Sequence, residues 1–196
     1  ISNDLINLKN PISSDLNTMR PSTFPNLLEA INQNKARMYS SAKIFEVGPN
    51  FSKSIVDQQE NVASAILYGS IYEQNWLSNQ KDSDVYTVKA DLFSILSSLN
   101  VPTDNLLYEK MEGQIYHPGK SSSLRLGKNI IAKFGEIHPV LLKNTDVNFK
   151  VFGFEIFLDN ISQFQEHRST SRGGFVNNPY QMVERDFAFL FPKEIK

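Results

Sequence analysis

Three carboxylates, Glu46, Glu136 and Glu155, each sit in or beside an apolar strand-like run. They are the residues of this chain best placed for acid–base chemistry. General acid–base work by a strand carboxylate needs a partner group. The competing expectation is that each points to solvent or pairs with a neighbouring Arg or Lys. Asp82 and Asp84 lie in a loop, where a solvated pair is the default. The three histidines, His117, His138 and His167, share no i, i+4 spacing, and two of them precede proline. With no cysteine to supplement them, a zinc site is disfavoured, and loop histidines bonded to backbone account for them better. Gly119-Lys120-Ser121 holds a Lys-Ser pair without the preceding Gly of a phosphate-binding loop. Neither G-x-G-x-x-G nor the nucleophile elbow G-x-S-x-G occurs.

The elements that must position these residues follow from periodicity. Phe24, Leu27, Leu28 and Ile31 fall at i, i+3, i+4, i+7, one face of a helix reaching to about Met38. Ser22 and Thr23 are candidate caps, and Pro25 is tolerated in the first turn. A strand over Ile44–Val47 is closed by Gly48-Pro49. Val62–Ile71 is nearly continuous in apolar residues, as in a strand covered on both faces. The polar stretch 71–85, with the single tryptophan Trp76, reads as a structured loop. Val88, Leu92, Ile95, Leu96 and Leu99 form a second helical face, ended by Pro102.

Tyr116-His117-Pro118-Gly119 reads as a turn. Strands Ser123–Leu126 and Ile130–Phe134 form a hairpin through Gly127-Lys128-Asn129. His138-Pro139 opens a short helix. Phe152, Phe154, Ile156 and Leu158 alternate as a half-buried strand, and Asp159 is a candidate cap for a helix through Phe164. Ile1–Leu8 is an extended lead-in, and a further strand is expected to start at Phe187. Strands joined by short loops, with helices between groups, predict an α+β fold with an antiparallel sheet flanked by helices.

Composition is ordinary for a globular domain: 40% apolar, 21% charged and a net charge of -1 in 196 residues. A domain that binds nucleic acid by itself is usually basic, so the balance gives that function no general support. Five cations against three anions over 167–196 make only a weak tilt toward polyanions. No run approaches the ~18 apolar residues of a membrane helix. The chain starts without Met and stops just after a strand-like run, so it is expected to be a piece of a longer protein.

Several motifs, in order, carry a resemblance. Asn10-Pro11-Ile12-Ser13, Met19-Arg20-Pro21-Ser22, Leu27-Leu28, Asn34, Arg37 and Phe45-Glu46-Val47-Gly48 form a first block. Trp76 and Lys89-Ala90-Asp91-Leu92 form a second, with Ala90 where Gly is usual. A third comprises His117-Pro118-Gly119-Lys120-Ser121, Phe134-Gly135-Glu136-Ile137-His138-Pro139 and Phe154-Glu155-Ile156. Pro179 and Arg185-Asp186-Phe187-Ala188 follow. Over essentially its whole length the chain resembles the C-terminal half of the bacterial phenylalanyl-tRNA synthetase β subunit.

The resemblance implies a class II synthetase core-like, inactive module over 1–166. A linker over 167–178 and the start of a ferredoxin-like anticodon-binding domain over 179–196 would follow. It implies a catalytic α subunit as partner in an (αβ)₂ heterotetramer, tRNA(Phe) bound through the whole β subunit, and a cytoplasmic, membrane-free setting. ATP and magnesium are implied for the complex, and no cofactor or metal ligand is assigned to this chain. Class II nucleotide binding uses an Arg-x-Glu pair and a Gly-rich strand–helix ending in Arg. The arginines here are Arg20, Arg37, Arg125, Arg168, Arg172 and Arg185, and none has Glu two residues later. Adenylate chemistry therefore has no evident source of charge neutralisation, and no catalytic residue is assigned. The expected role is assembly. Met19, Arg20, Leu27, Leu28, Ile31, Asn34 and Glu46 are the candidate interface residues. For the three apolar ones, packing against the chain's own sheet explains the same spacing. Arg20 and Glu46 are candidates for a buried ion pair. The rival functions are a stand-alone tRNA-binding module and a small enzyme using strand carboxylates such as Glu136 and Glu155.

Overall fold

The computed structural model describes residues 5–53, 59–71, 76, 81–111, 115–166, 185–190 and 192. Its helices are α1 (Phe24–Ala36), α2 (Val85–Ser98), α3 (Pro139–Asn144) and α4 (Leu158–Glu166). The strands are β1 (Ala42–Phe51), β2 (Gln59–Tyr68), β3 (Leu107–Glu109), β4 (Tyr116–Leu126), β5 (Asn129–Ile137) and β6 (Phe152–Phe157). All pairings are antiparallel, in the order β1-β2-β6-β5-β4-β3. The α+β sheet expected from the sequence is therefore what forms.

Helices cover both faces. On one, Phe24, Leu27, Leu28 and Ile31 of α1 and Leu142 of α3 pack with Ile66, Tyr68, Tyr116 and Ile137. On the other, Val88, Leu92 and Leu96 of α2 and Ile161 of α4 pack with Leu67, Leu124, Ala132, Phe134, Phe154 and Ile156. Adjacent residues of β2 alternate between the two clusters, as its continuous apolar run predicts. Burying each large α1 side chain contributes about 1.5–3 kcal/mol.

Caps and ends differ from the sequence reading in ways that have local causes. Thr23 does not cap α1, because its hydroxyl donates to Ser64 Oγ at 2.7 Å across the core. The Ser22 hydroxyl accepts from the Phe24 N–H at 3.2 Å instead. The helix stops at Ala36, since Met38 adopts φ 69 and turns the chain. Asp84 and Thr87 form a reciprocal capping box at the start of α2. Ile95 is 39% exposed, so Val88, Leu92 and Leu96 alone define that helix's inner face. Asp159 lies inside α4 rather than before it, and its carboxylate accepts from Asn61 N at 2.8 Å and Asn61 Nδ2 at 3.1 Å.

Strands run further than their turn residues suggest. β1 continues through Gly48-Pro49 to Phe51. It is the sheet's edge, where a missing N–H breaks no second ladder. β2 ends at Tyr68 rather than Ile71, because Gly69 turns the chain with φ 75. β4 starts at Tyr116. His117-Pro118-Gly119 is absorbed as an irregularity between the pairs Tyr116/Ile137 and Ser121/Gly135, not expelled as a turn. The β4–β5 turn has two residues, Gly127 and Lys128, since Asn129 already pairs with Leu126. In the lead-in only an isolated bridge, Asn7 with Thr18, forms. Residues 185–190 carry no strand, because among the described residues none pairs with them. The expected linker at 167–178 lies outside the described residues. Trp76 is 95% exposed.

Candidate assembly interface

Strand β1 alternates over residues 42–47. Ala42 and Ile44 turn toward α1, whereas Lys43, Phe45 and Val47 take the opposite face. On that face α2 and α4 pack over β2, β5 and β6. Phe45 remains 76% and Val47 60% exposed. Lys43 reaches across to Asp91 of α2 at 2.8 Å. Two adjacent apolar side chains thus stand on an edge strand that is open for much of its length.

The far end of that edge is closed from within the chain. Arg20 accepts the Phe51 N–H at its carbonyl (2.9 Å), its Nε donates to the Pro49 carbonyl at 2.9 Å, and its guanidinium pairs with Glu46. The pair forms as the sequence suggested but is half-buried, not buried, with side chains 28% and 31% exposed. Gly48 leaves room for the guanidinium in this position: a Cβ there would lie 2.5 Å from an Arg20 guanidinium nitrogen, so the side chain would have to shift. The motifs Met-Arg-Pro-Ser and Phe-Glu-Val-Gly, far apart in sequence, therefore meet as one unit.

The other candidate interface residues separate. Leu27, Leu28 and Ile31 are 3%, 1% and 0% exposed and hold α1 to the sheet. Met19 is half-buried, and its N–H donates to Ile6 O at 2.8 Å. Asn34 is half-buried at the end of α1, where its side chain donates to Ala30 O and its carbonyl accepts from Arg37 and Tyr39. Phe45 and Val47, the exposed apolar side chains of β1, were not among the candidate residues. The signal was the alternation Lys43 to Val47, which does not say which phase faces in.

The strand carboxylates resolve differently. Glu136, 6% exposed, pairs with Lys120 at 2.7 Å. Glu155 belongs to a polar row crossing all six strands on the α1 face: Glu46, Ser64, Glu155, Lys133, Ser123 and Glu109. Arg20 pairs with the carboxylate at one end of the row, and Arg125 with Glu109 at the other, 2.8 Å apart. The row's middle holds Lys133 and no arginine. Burial pushes the Glu155 carboxyl up to about 7, opposed by Lys133 and reinforced by Glu60. The buried Tyr116 hydroxyl faces Glu155 and is driven up by burial first and then by that carboxylate, whose own rise the Tyr116 hydroxyl opposes. Glu136 pairs across β5–β6 with Phe152 in one phase and Lys133 with Glu155 in the other, so Glu136 and Glu155 fall on opposite faces and form no dyad. The strand that runs straight into a helix, β6 into α4, carries Gly153 but no arginine. His117 and His138 stack at 6.3 Å, and each Nδ1 accepts a backbone N–H, from Gly119 (3.0 Å) and Val140 (3.1 Å). Among the described residues no three metal-ligating side chains gather.

A six-stranded antiparallel sheet entered by a helix–strand unit and left by a strand–helix unit is the class II aminoacyl-tRNA synthetase core. Two solved structures of pyrrolysyl-tRNA synthetase from Desulfitobacterium hafniense share it, with TM-scores of 0.61 and 0.59 at 13% identity. They cover 83% of this chain and 54% and 53% of theirs. The family model of the phenylalanyl tRNA synthetase beta chain CLM domain matches residues 1–158, and the chain belongs to that family. The phenylalanine–tRNA ligase beta subunit of Rhodospirillum rubrum is 40% identical over 187 residues, covering 95% of this chain and 23% of its own length. That of Wolbachia sp. subsp. Brugia malayi is 36% identical over 195 residues, covering 100% and 24%. The chain thus spans about a quarter of these relatives.

Proposed function

We propose that this chain is a non-catalytic module of a phenylalanine–tRNA ligase β subunit that supports assembly with the catalytic α subunit. The complex is an (αβ)₂ heterotetramer in the cytoplasm that attaches phenylalanine to tRNA(Phe) with ATP and magnesium. This module supplies contact surface rather than chemistry. The observation that carries the reading is β1, an edge strand presenting Phe45 and Val47 to solvent beside the Arg20–Glu46 pair. Exposed apolar side chains on an unpaired edge are a liability unless a partner covers them. The pairing of Arg20 and Arg125 with carboxylates at the two ends of the polar row also supports a non-catalytic role.

The test is co-expression of full-length β carrying Phe45→Asp and Val47→Asp with α, followed by size-exclusion chromatography with light scattering. The expected result is free β with an unchanged circular-dichroism melt. An intact heterotetramer would refute the assignment of this surface.

A further inference from the structure

Three hydrogen bonds tell the two sides of strand β1 apart. In an antiparallel pair the N–H and C=O of one residue point to the same side, and successive residues alternate sides. The Phe51 N–H donates to the Arg20 carbonyl at 2.9 Å, and the Pro49 carbonyl accepts from Arg20 Nε at 2.9 Å. Asn61 stands opposite Pro49 on β2, and its N–H donates at 2.8 Å to Asp159, which follows β6, so it turns away from β1. The odd-numbered residues of β1 therefore point their backbone outward, and the even-numbered ones bond to β2. Pro49, with no N–H to give, sits at an outward position and costs the β1–β2 ladder nothing. Once Arg20 has closed 49–51, the outward residues left are Lys43, Phe45 and Val47. Their N–H and C=O groups have no partner among the described residues. Phe45 and Val47 are also the side chains left open to solvent. The same two residues thus offer free backbone and uncovered apolar surface. The charges beside them are spent within the chain, Lys43 on Asp91 and Glu46 on Arg20.

We propose that a seventh strand adds to β1 over Lys43–Val47, and that it is an extended, apolar segment of the α subunit. The inference rests on the assembly reading and specifies how that contact is made. Strand addition draws affinity from main-chain hydrogen bonds and specificity from the alternate side chains. The free groups of β1 recur at every second residue, about 6.6–7 Å apart. Another extended backbone matches that spacing, whereas a helix spends its backbone groups internally. The added side chains that meet Phe45 and Val47 are uncharged, because β1 has no free charge to pair with them. Pro49 and Arg20 end the added ladder at Val47 and so bound its register.

The experiment compares Val47→Pro with Val47→Ala in full-length β co-expressed with α. The Val47 N–H points outward, so proline removes a donor of the added ladder and none of β1–β2. Alanine removes the side chain and keeps the donor. Dissociation on dilution is followed by mass photometry. The proline variant is expected to come apart at concentrations about tenfold higher than the alanine variant, with the melt of both unchanged. Residue-resolved hydrogen exchange gives a second reading that needs no variant. The amides of Lys43, Phe45 and Val47 should exchange at least about tenfold more slowly in the complex than in β alone, and those of Ile44 and Glu46 should change little. If Val47→Pro lowers the melt, the exchange data decide. Equal weakening by the two variants, with no slowing at Phe45 and Val47, would overturn strand addition and leave the assembly reading standing. No weakening by either variant or by Phe45→Ala would sink both. Slow outward amides in β without α would assign the edge to a second copy of this chain and overturn the choice of occupant.

Discussion

Replacing Glu155 by Gln should stabilise this module at neutral pH and leave it unchanged in mild acid. The carboxyl is 5% exposed, and burial raises it from 4.5 to about 7. At 1.36 kcal/mol per unit, ionising it inside the fold costs on the order of 3 kcal/mol. The sign follows from linkage. Below pH 4.5 the group is protonated folded and unfolded, and no cost arises. Between 4.5 and 7 the unfolded chain ionises first, so stability falls as pH rises. Above 7 the full cost is present. Glutamine has the shape of the protonated acid and does not titrate. The difference between variant and parent should therefore be near zero at pH 4.5 and approach about 3 kcal/mol by pH 8. Against the ~5–15 kcal/mol total of a typical domain that is a large shift. Urea unfolding followed by far-ultraviolet circular dichroism at several pH values reads it as a displaced midpoint at constant slope. A difference that stays flat with pH, or a less stable variant at pH 8, would refute the argument that burial governs this carboxyl.

Two further substitutions probe packing. Leu28→Ala empties a fully buried site between α1 and the sheet and should cost about 2–5 kcal/mol, read as a lower melting temperature. Gly153→Ala would place a methyl 2.8 Å from the Ala65 carbonyl and 2.9 Å from Ile66 Cγ2. A loss of about 1–3 kcal/mol is expected, measured by chemical denaturation.

What the sequence disclosed followed how local each signal is. The face Phe24, Leu27, Leu28, Ile31 and the double burial of β2 are periodicities within one element, and both were legible. Turn residues misled where tertiary pairing outweighed them. His117-Pro118-Gly119 and Gly48-Pro49 look like breaks, yet a bulge and an edge position accommodate them. Hydroxyls and carboxylates with two possible partners were ambiguous: Thr23 serves Ser64 rather than its helix, and Asp159 serves Asn61. The polar row was not legible, because its six members come together only through the register of five strand pairs. The Arg20–Glu46 pair could be guessed from charge, but its half-exposure reflects the edge position of β1.

The strand order also fixes when the sheet can close. β6, the last strand among the described residues, lies between β2 and β5 and bonds to both. During synthesis β1–β2 and β3–β4–β5 can each pair locally, but they remain separate half-sheets with open inner edges until residues 152–157 emerge. Closure then requires β2 to meet a strand about ninety residues away, through contacts of high sequence separation that slow folding. A nascent chain stopped before Phe152 carries two unpaired inner edges, the species most exposed to aggregation and to chaperone capture.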